Sequence, residues 1–324
     1  MALVLEHQSA DVDDQAKALA GWQQRYEQLG RGRFQGSARQ VVMAGGTVLR
    51  ESTNRQLREQ IRPPSDCLVL AIPLSVAPGS VFAGRPLDAD ALMIISGHDE
   101  YDLVAAGELD LLALSVDRRR LDSMLTPHEI EWLAQAERQR RWALAADTAG
   151  AVRGELLAVC KAAERGAPGA VIDLENESAL IGATLAHMVA LAMSGGSAER
   201  SDAGIPRRAD SRLRVVKRAI EFIRANLQED IGIPEICTAA CASRRSLQYC
   251  FEEFLHTTPQ AYLRALRLNE ARRRLKQQAD QPITLLACTM GFSSASHFTR
   301  HYRLMFNELP SQTQRLGGEG TTKD

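Results

Sequence analysis

Two textures of hydrophobic and polar positions divide the chain. From Phe34 to Val116, short runs rich in Val, Ile and Leu alternate with Gly and Pro. Strands are predicted over 38–44, 46–52, 67–72, 81–83, 91–95 and 110–115, with Gly45-Gly46 as a hairpin signal between the first two. Several short strands at regular spacing predict a small β-barrel or sandwich. Residues 1–14 are polar and acidic and are expected to be loose. Ala18, Trp22, Tyr26 and Leu29 recur at helical spacing and predict a helix over 14–29, closed by Gly30-Arg31-Gly32. On that stripe Trp22 reads first as core and second as a stacking surface for a ligand. Helices are predicted again from Leu121 to Glu164 and from Glu175 to about Met193. Thr126-Pro127-His128-Glu129 supplies a cap, a first-turn Pro and a Glu at the third position. The Ser- and Gly-rich stretch that follows predicts a flexible linker over 194–211.

Beyond it the period is helical, and one pattern occurs twice. Pro234 suits a first helical turn, and Ile236, Ala239 and Ala240 form a short amphipathic helix. Cys241-Ala242 permit a tight turn, Ser243 caps the next helix, and Leu247, Phe251 and Phe254 form its buried side. Arg244, Arg245, Gln248 and Tyr249 lie on the other side. In the second copy Ile283, Leu286 and Ala287 begin a helix, and Gly291 suits a left-handed position at its end. Phe292 plugs the core between the helices, and Ser293 or Ser294 caps a helix that buries Phe298, Tyr302 and Phe306. Ala295, Ser296, His297, Thr299, Arg300 and Arg303 are left outward. Between the copies, Ala261, Ala265, Leu268, Ala271 and Leu275 share one arc of a long helix, and Tyr262 and Leu266 lie on another. Such a spacer would set two reading helices about 34 Å apart, one turn of DNA.

Three blocks of residues carry a family resemblance. They are Ser243-Arg244-Arg245-Ser246-Leu247-Gln248 with Phe251, and Pro259 with Tyr262-Leu263 and Leu266-Arg267-Leu268. The sharpest is Gly291-Phe292-Ser293-Ser294, Ser296-His297-Phe298-Thr299-Arg300, then Phe306 and Pro310-Ser311. This stretch resembles the DNA-binding domain of AraC/XylS-type transcription regulators. The resemblance implies sequence-specific promoter binding, usually with activation through RNA polymerase. It implies base-facing roles for Arg245, Gln248, Tyr249, Ala295, Ser296, His297, Thr299 and Arg300. Cys241-Ala242 depart from the family's usual turn.

Charge sharpens the division. Residues 212–324 carry 17 Lys and Arg against 11 Asp and Glu, a balance of +6, whereas residues 1–211 carry 22 against 29, a balance of −7. A basic tail and an acidic head fit a DNA reader joined to a part that avoids DNA. The six cysteines, at 67, 160, 237, 241, 250 and 288, form no CxxC pair, and a reducing cytoplasm is the expected setting. Cys237 and Cys241, four apart, admit a redox or metal role as well as a bland core role. No signal peptide and no apolar run of membrane-spanning length is read.

The front end is also similar to AraC-family regulators, implying a cupin-like barrel with trailing helices used for sensing or dimerisation. Trp22-Gln23-Gln24, Tyr26, Gln28-Leu29, Gly32, Phe34 and Gly36 resemble the opening of ethanolamine-operon regulators. A barrel enzyme is the weaker alternative. Only His98 of seven histidines lies among the strands, so a metal set is missing, and His98-Asp99-Glu100 reads as a solvated turn before an acid–base cluster.

The fold class expected is therefore α+β, with a cupin-like sensing and dimerisation domain over 1–193 and the linker over 194–211. A double helix-turn-helix domain over 212–316 and a disordered tail over 317–324 complete it. The expected partners are double-stranded promoter DNA, RNA polymerase for an activator, a second copy of the chain, and a small-molecule effector or partner protein. No cofactor, metal or membrane is expected. A constitutive regulator whose N-terminal domain only dimerises is the alternative.

Overall fold

Alternation of side chains along the Val-, Ile- and Leu-rich runs builds two antiparallel sheets. The computed structural model describes residues 2–165, 174–197, 207–278 and 281–313. In chain order the first elements are β1 (Leu3–Ser9), α1 (Val12–Gln15), β2 (Gln23–Gln28), β3 (Gly36–Met43), β4 (Gly46–Thr53) and β5 (Leu57–Arg62). Next come β6 (Cys67–Val76), β7 (Val81–Phe82), β8 (Arg85–Pro86), β9 (Ala91–Ser96), β10 (Tyr101–Ala105) and β11 (Leu109–Asp117). They are followed by α2 (Leu121–Met124), α3 (Pro127–Gln139), β12 (Arg141–Leu144), α4 (Ala146–Arg165), α5 (Leu174–Gly195) and β13 (Gly196–Ser197). An eight-stranded sheet runs β1-β3-β4-β11-β6-β9-β12-β13, and a five-stranded sheet runs β2-β5-β10-β7-β8.

The central strands β6, β9 and β11 of the larger sheet are buried on both faces. One face sends Leu68, Leu70, Ile72, Leu92, Ile94, Leu112 and Leu114 into a core shared with Val152 and Leu156 of α4 and Ile181, Leu185 and Met188 of α5. Each such side chain contributes about 1.5–3 kcal/mol by leaving water. Ladder partners such as Val69 and Ile95, Ala71 and Met93, and Glu51 and Leu111 share the opposite face. That face looks across a cavity at the smaller sheet. This sheet-rich, mixed α and β arrangement agrees with the expected class at the coarse level. Against the expectation of no apolar run of membrane-spanning length, α5 is long and apolar enough over Asn176–Gly195 to cross a membrane by length and composition. Ile181, Leu185, Met188, Val189 and Ala192 of this helix belong to the core.

The six predicted strands are present, and several other expectations need correction. The helix expected over 14–29 is confined to Val12–Gln15; Gly21, at φ +78°, turns the chain into β2 instead. The helical stripe there is equally a strand pattern, and pairing in the smaller sheet decides between them. Residues 3–9, expected to be loose, form β1 in register with β3, from Leu3 opposite Val42 to Ser9 opposite Gly36. The helical run from Leu121 to Glu164 is interrupted by β12. There the Trp142 indole donates to the Ala192 carbonyl at 3.1 Å and meets Trp132 edge-on at 5.1 Å. The Thr126 cap is present as read: its N–H donates to Glu129 at 2.7 Å and its hydroxyl accepts from the Glu129 N–H at 3.4 Å.

The second set of elements is all helical: α6 (Arg207–Ala225), α7 (Ile233–Ala240), α8 (Arg244–Leu255), α9 (Pro259–Gln277), α10 (Ile283–Thr289) and α11 (Ala295–Phe306). The linker expected over 194–211 is helical at both ends, through Gly195 and from Arg207; residues 198–206 and the expected tail at 317–324 lie outside the described residues. By packing, the chain divides into two units. One holds residues 1–25, 35–54 and 59–204; the other holds 26–34, 55–58 and 205–324. The helical unit thus includes two short pieces from the strand-rich part of the sequence.

Candidate nucleic-acid interface

Helix α9 is the axis of the helical unit. Tyr262, Leu263, Ala265, Leu266, Leu268, Ala271 and Leu275 are all buried along it. Tyr262 meets Phe251 of α8 edge-on at 5.6 Å. Ala265, Leu268, Ala271 and Leu275 join Phe298, Tyr302, Met305 and Phe306 of α11 in one core. Both helix pairs are therefore built onto one rigid spacer, the arrangement the two-sided apolar pattern anticipated.

In the first pair, α7 ends on Cys241 in the left-handed conformation, φ +53°. A cysteine thus takes the backbone geometry that glycine adopts more cheaply. The Ser243 hydroxyl then caps α8, accepting from the Ser246 N–H at 3.2 Å. Leu247, Cys250, Phe251 and Phe254 point inward. Arg244, Arg245, Gln248 and Tyr249 are all exposed. Gln248 donates to Glu252 at 3.0 Å, and the Arg212 guanidinium, held by Glu253 at 2.7 Å, lies 5.7 Å from the Tyr249 ring centre.

In the second pair Gly291 sits at φ +68°, and the Ser294 hydroxyl accepts from the His297 N–H at 3.1 Å. Phe298, Tyr302, Met305 and Phe306 are buried. Ser296, His297, Arg300 and Arg303 are exposed, with Ala295 and Thr299 half-buried beside them. Ala295, Ser296, Thr299, Arg300, Arg303 and Leu304 line an open concavity of about 880 Å³. The structure thus brings Ala295, Ser296, Thr299, Arg300 and Arg303 together along one concavity, with His297 outside it against Phe292 and His301, and the four first-copy residues onto a face of α8.

Sequence reasoning missed the supports. Arg267, buried on α9, donates to the Leu227 carbonyl at 3.1 Å and the Glu229 carbonyl at 2.7 Å. The same guanidinium packs where a Cβ on Gly291 would stand. One side chain therefore fastens the loop after α6 and fixes the turn before α11. Burial lowers the Arg267 pKa from its ordinary value. A second support is Glu27, 1% exposed, which accepts from Arg224 at 2.8 Å and Tyr262 at 3.1 Å and pairs with Arg58 at 3.7 Å. Asn269 similarly donates to the Gln28 carbonyl at 2.9 Å. Nothing in local periodicity marks such long-range partners. A missed neighbour of His297 is His301, whose Nε2 lies 2.9 Å from that of His297. Burial, then Arg264, His297, Arg300 and Arg31, depress its pKa and favour neutral imidazole. Among the described residues no group of three or more His, Cys, Asp or Glu is placed to hold a metal ion.

This geometry defines a double helix-turn-helix DNA-binding unit, and comparison with known proteins agrees. The family profile "Helix-turn-helix domain" matches residues 236–316. The transcriptional regulator ArgR of Pseudomonas aeruginosa is 32% identical over 151 residues, 46% of this chain and 45% of that protein. The XylDLEGF operon transcriptional activator 1 of Pseudomonas putida is 36% identical over 101 residues, 31% of this chain and 30% of that one. The chain thus spans less than half the length of these curated relatives. A solved AraC-type regulator chain from Chromobacterium violaceum is 32% identical, with 97% of that chain and 34% of this one covered, at a TM-score of 0.32. Over residues 236–316 the chain resembles AraC/XylS-type transcription regulators, and the relatives matched are named as transcriptional regulators.

Proposed function

We propose that the chain is a one-component promoter-binding regulator, acting with RNA polymerase as an activator, in which α8 and α11 enter successive major grooves. The observation that carries the reading is the pair of exposed polar helix faces built onto one buried helix, α9. Arg244, Arg264 and Arg303 supply the phosphate contacts that hold any sequence and weaken with salt. Arg245, Gln248, His297 and Arg300 supply discrimination, with Tyr249, Ala295, Ser296 and Thr299 beside them. A good bidentate base contact is worth roughly 1–3 kcal/mol.

Residues 1–193 act as a cupin-like sensing and dimerisation domain, and 212–316 as the DNA-binding domain. Two observations favour sensing. The strand-rich unit encloses a cavity, to which β2 contributes Gln24 and β5 contributes Glu59 and Ile61. The same strands contribute Tyr26, Glu27, Gln28, Leu57 and Arg58 to the helical unit. A ligand that shifts β2 or β5 therefore moves groups anchored beside α9. Favouring dimerisation, Ala179, Leu180, Ala183 and Ala190 are exposed apolar positions on α5, with His187 among them. An amine effector accords with the ethanolamine-regulator resemblance of the opening residues.

The test is a pair of substitutions read by fluorescence anisotropy on the upstream DNA. Gln248→Ala relaxes preference at one base pair and leaves non-specific affinity nearly unchanged. Arg264→Ala weakens binding to all sequences alike. Equal loss for every sequence in both variants refutes the division of roles.

A further inference from the structure

An aromatic ring stands open on α8, and the residue that holds it belongs to neither helix-turn-helix pair. Tyr249 is 55% exposed. Among the described residues every other Phe, Tyr and Trp is buried or half-buried. A ring left in water forgoes the stabilisation that burial would give it, so packing does not account for Tyr249.

Helical period brings its support from α6. Arg212 precedes Val216, Ala219, Ile220 and Ile223 on the buried stripe of that helix, so it lies on the inward side. Tyr249 and Glu253 stand four apart on α8 and share one line along its surface. Arg212 meets both. Its Nε donates to Glu253 at 2.7 Å and its Nη2 at 2.8 Å, a two-point clasp. Its Cζ lies 5.7 Å from the Tyr249 ring centre, within cation–π range. The Arg212 and Glu253 side chains are 30% and 29% exposed, and ion pairs this open add little to stability. What two-point attachment supplies is direction: a planar guanidinium that cannot turn stands beside the ring. Gln248, the neighbouring outward residue, is steadied differently, by Glu252 within α8 itself at 3.0 Å.

We propose that Arg212 is a positioning residue for base recognition: clasped by Glu253, it sets the pose in which Tyr249 meets DNA. The proposal rests on the reading of α8 as a DNA-reading helix with Tyr249 among its base-facing residues. It adds a determinant of specificity from α6, outside the turn and the reading helix. Lys cannot replace Arg there, because an ammonium makes no planar fork to a carboxylate and stacks less well on a ring.

The experiment is fluorescence anisotropy of the full-length protein on two duplexes at several salt concentrations. One duplex is selected by the wild-type protein from a randomised pool; the other is its scrambled counterpart. Arg212→Ala should weaken binding to the selected duplex about three- to tenfold and leave the scrambled duplex and the salt slope unchanged. Arg212→Lys should weaken it nearly as much. In a Tyr249→Ala background, Arg212→Ala should have no further effect. Circular dichroism and the urea midpoint establish that each variant folds; if Arg212→Ala does not, Arg212→Lys and Glu253→Gln complete the same cycle. Four results overturn the proposal: unchanged affinity for the selected duplex, equal loss on both duplexes, full rescue by Lys, or additivity with Tyr249→Ala. Equal loss with a shallower salt slope would make Arg212 a phosphate contact instead. If Tyr249→Ala leaves selected binding intact, the reading of Tyr249 fails and the proposal with it. If Tyr249→Ala weakens it and Arg212→Ala does not, the proposal fails alone.

Discussion

Replacing Gly291 by Ala puts a single methyl group where the structure has no room for it. The residue sits at φ +68°, where an L side chain costs roughly 1–2 kcal/mol. The new Cβ would stand 2.6 Å from Nη1 and 2.8 Å from Cζ of Arg267. The guanidinium cannot simply swing aside, because it donates to the Leu227 and Glu229 carbonyls at 3.1 and 2.7 Å. Stranding one buried acceptor costs about 1–3 kcal/mol. Gly291→Ala should therefore destabilise the helical unit by roughly 2–5 kcal/mol. Urea unfolding followed by circular dichroism, with DNA anisotropy on the same sample, measures it. A double-mutant cycle with Arg267→Ala isolates the clash: beside that change, the glycine substitution should cost only its backbone part, about 1–2 kcal/mol. Gly150 in α4 is the control, since a Cβ there meets nothing within 4 Å. Gly150→Ala should gain about 0.5–1 kcal/mol, as expected for a mid-helix glycine. A loss below about 0.5 kcal/mol for Gly291→Ala, no larger than ordinary surface scatter, or full additivity with Arg267→Ala, refutes the reasoning.

Other consequences follow from the same geometry. Glu27→Gln leaves Arg58 and Arg224 buried beside a neutral amide and should cost about 3–5 kcal/mol in urea unfolding, the range for breaking a buried pair. Burial and the neighbouring Glu27 raise the Tyr262 pKa above its ordinary 10.0. Stability from the neutral phenol is complete below pH 10 and is lost as pH rises above it. Tyr262→Phe should flatten that alkaline limb when unfolding is compared at pH 8, 10 and 11; Tyr302, shifted the same way chiefly by burial, carries the remainder. Thr126→Ala removes the hydroxyl half of the α3 cap, leaving the backbone N–H bond to Glu129, and should lower stability by about 1 kcal/mol in the same assay.

Legibility in the sequence followed the range of the interactions. The helix-turn-helix pairs were readable because their determinants are local. Ser243 and Ser294 cap, Gly291 turns, and Leu247, Phe251, Phe298 and Tyr302 repeat at helical spacing. The strands rich in Val, Ile and Leu were readable for the same reason. Strands β1, β2 and β5 were not, because LVLEHQS, QQRYEQ and LREQIR carry many polar residues and owe their form to partners far along the chain. The 14–29 segment shows the conflict directly: Trp22 and Tyr26 fit either period, and sheet pairing chose the strand. Arg267, Glu27 and Asn269 were invisible as supports because their partners lie far away in sequence. Asn269 and Gln28 are 241 positions apart. The outward residues of α8 and α11 were legible as faces, since exposure follows from the helical period.

The central claim is that one chain reads two successive grooves. A nuclease footprint of the full-length protein on the DNA upstream of its own gene and its neighbours tests it most directly. The account predicts sequence-preferential protection over two adjacent helical turns per monomer, on one face of the duplex. Protection of a single turn, or no preference for any sequence, would contradict it.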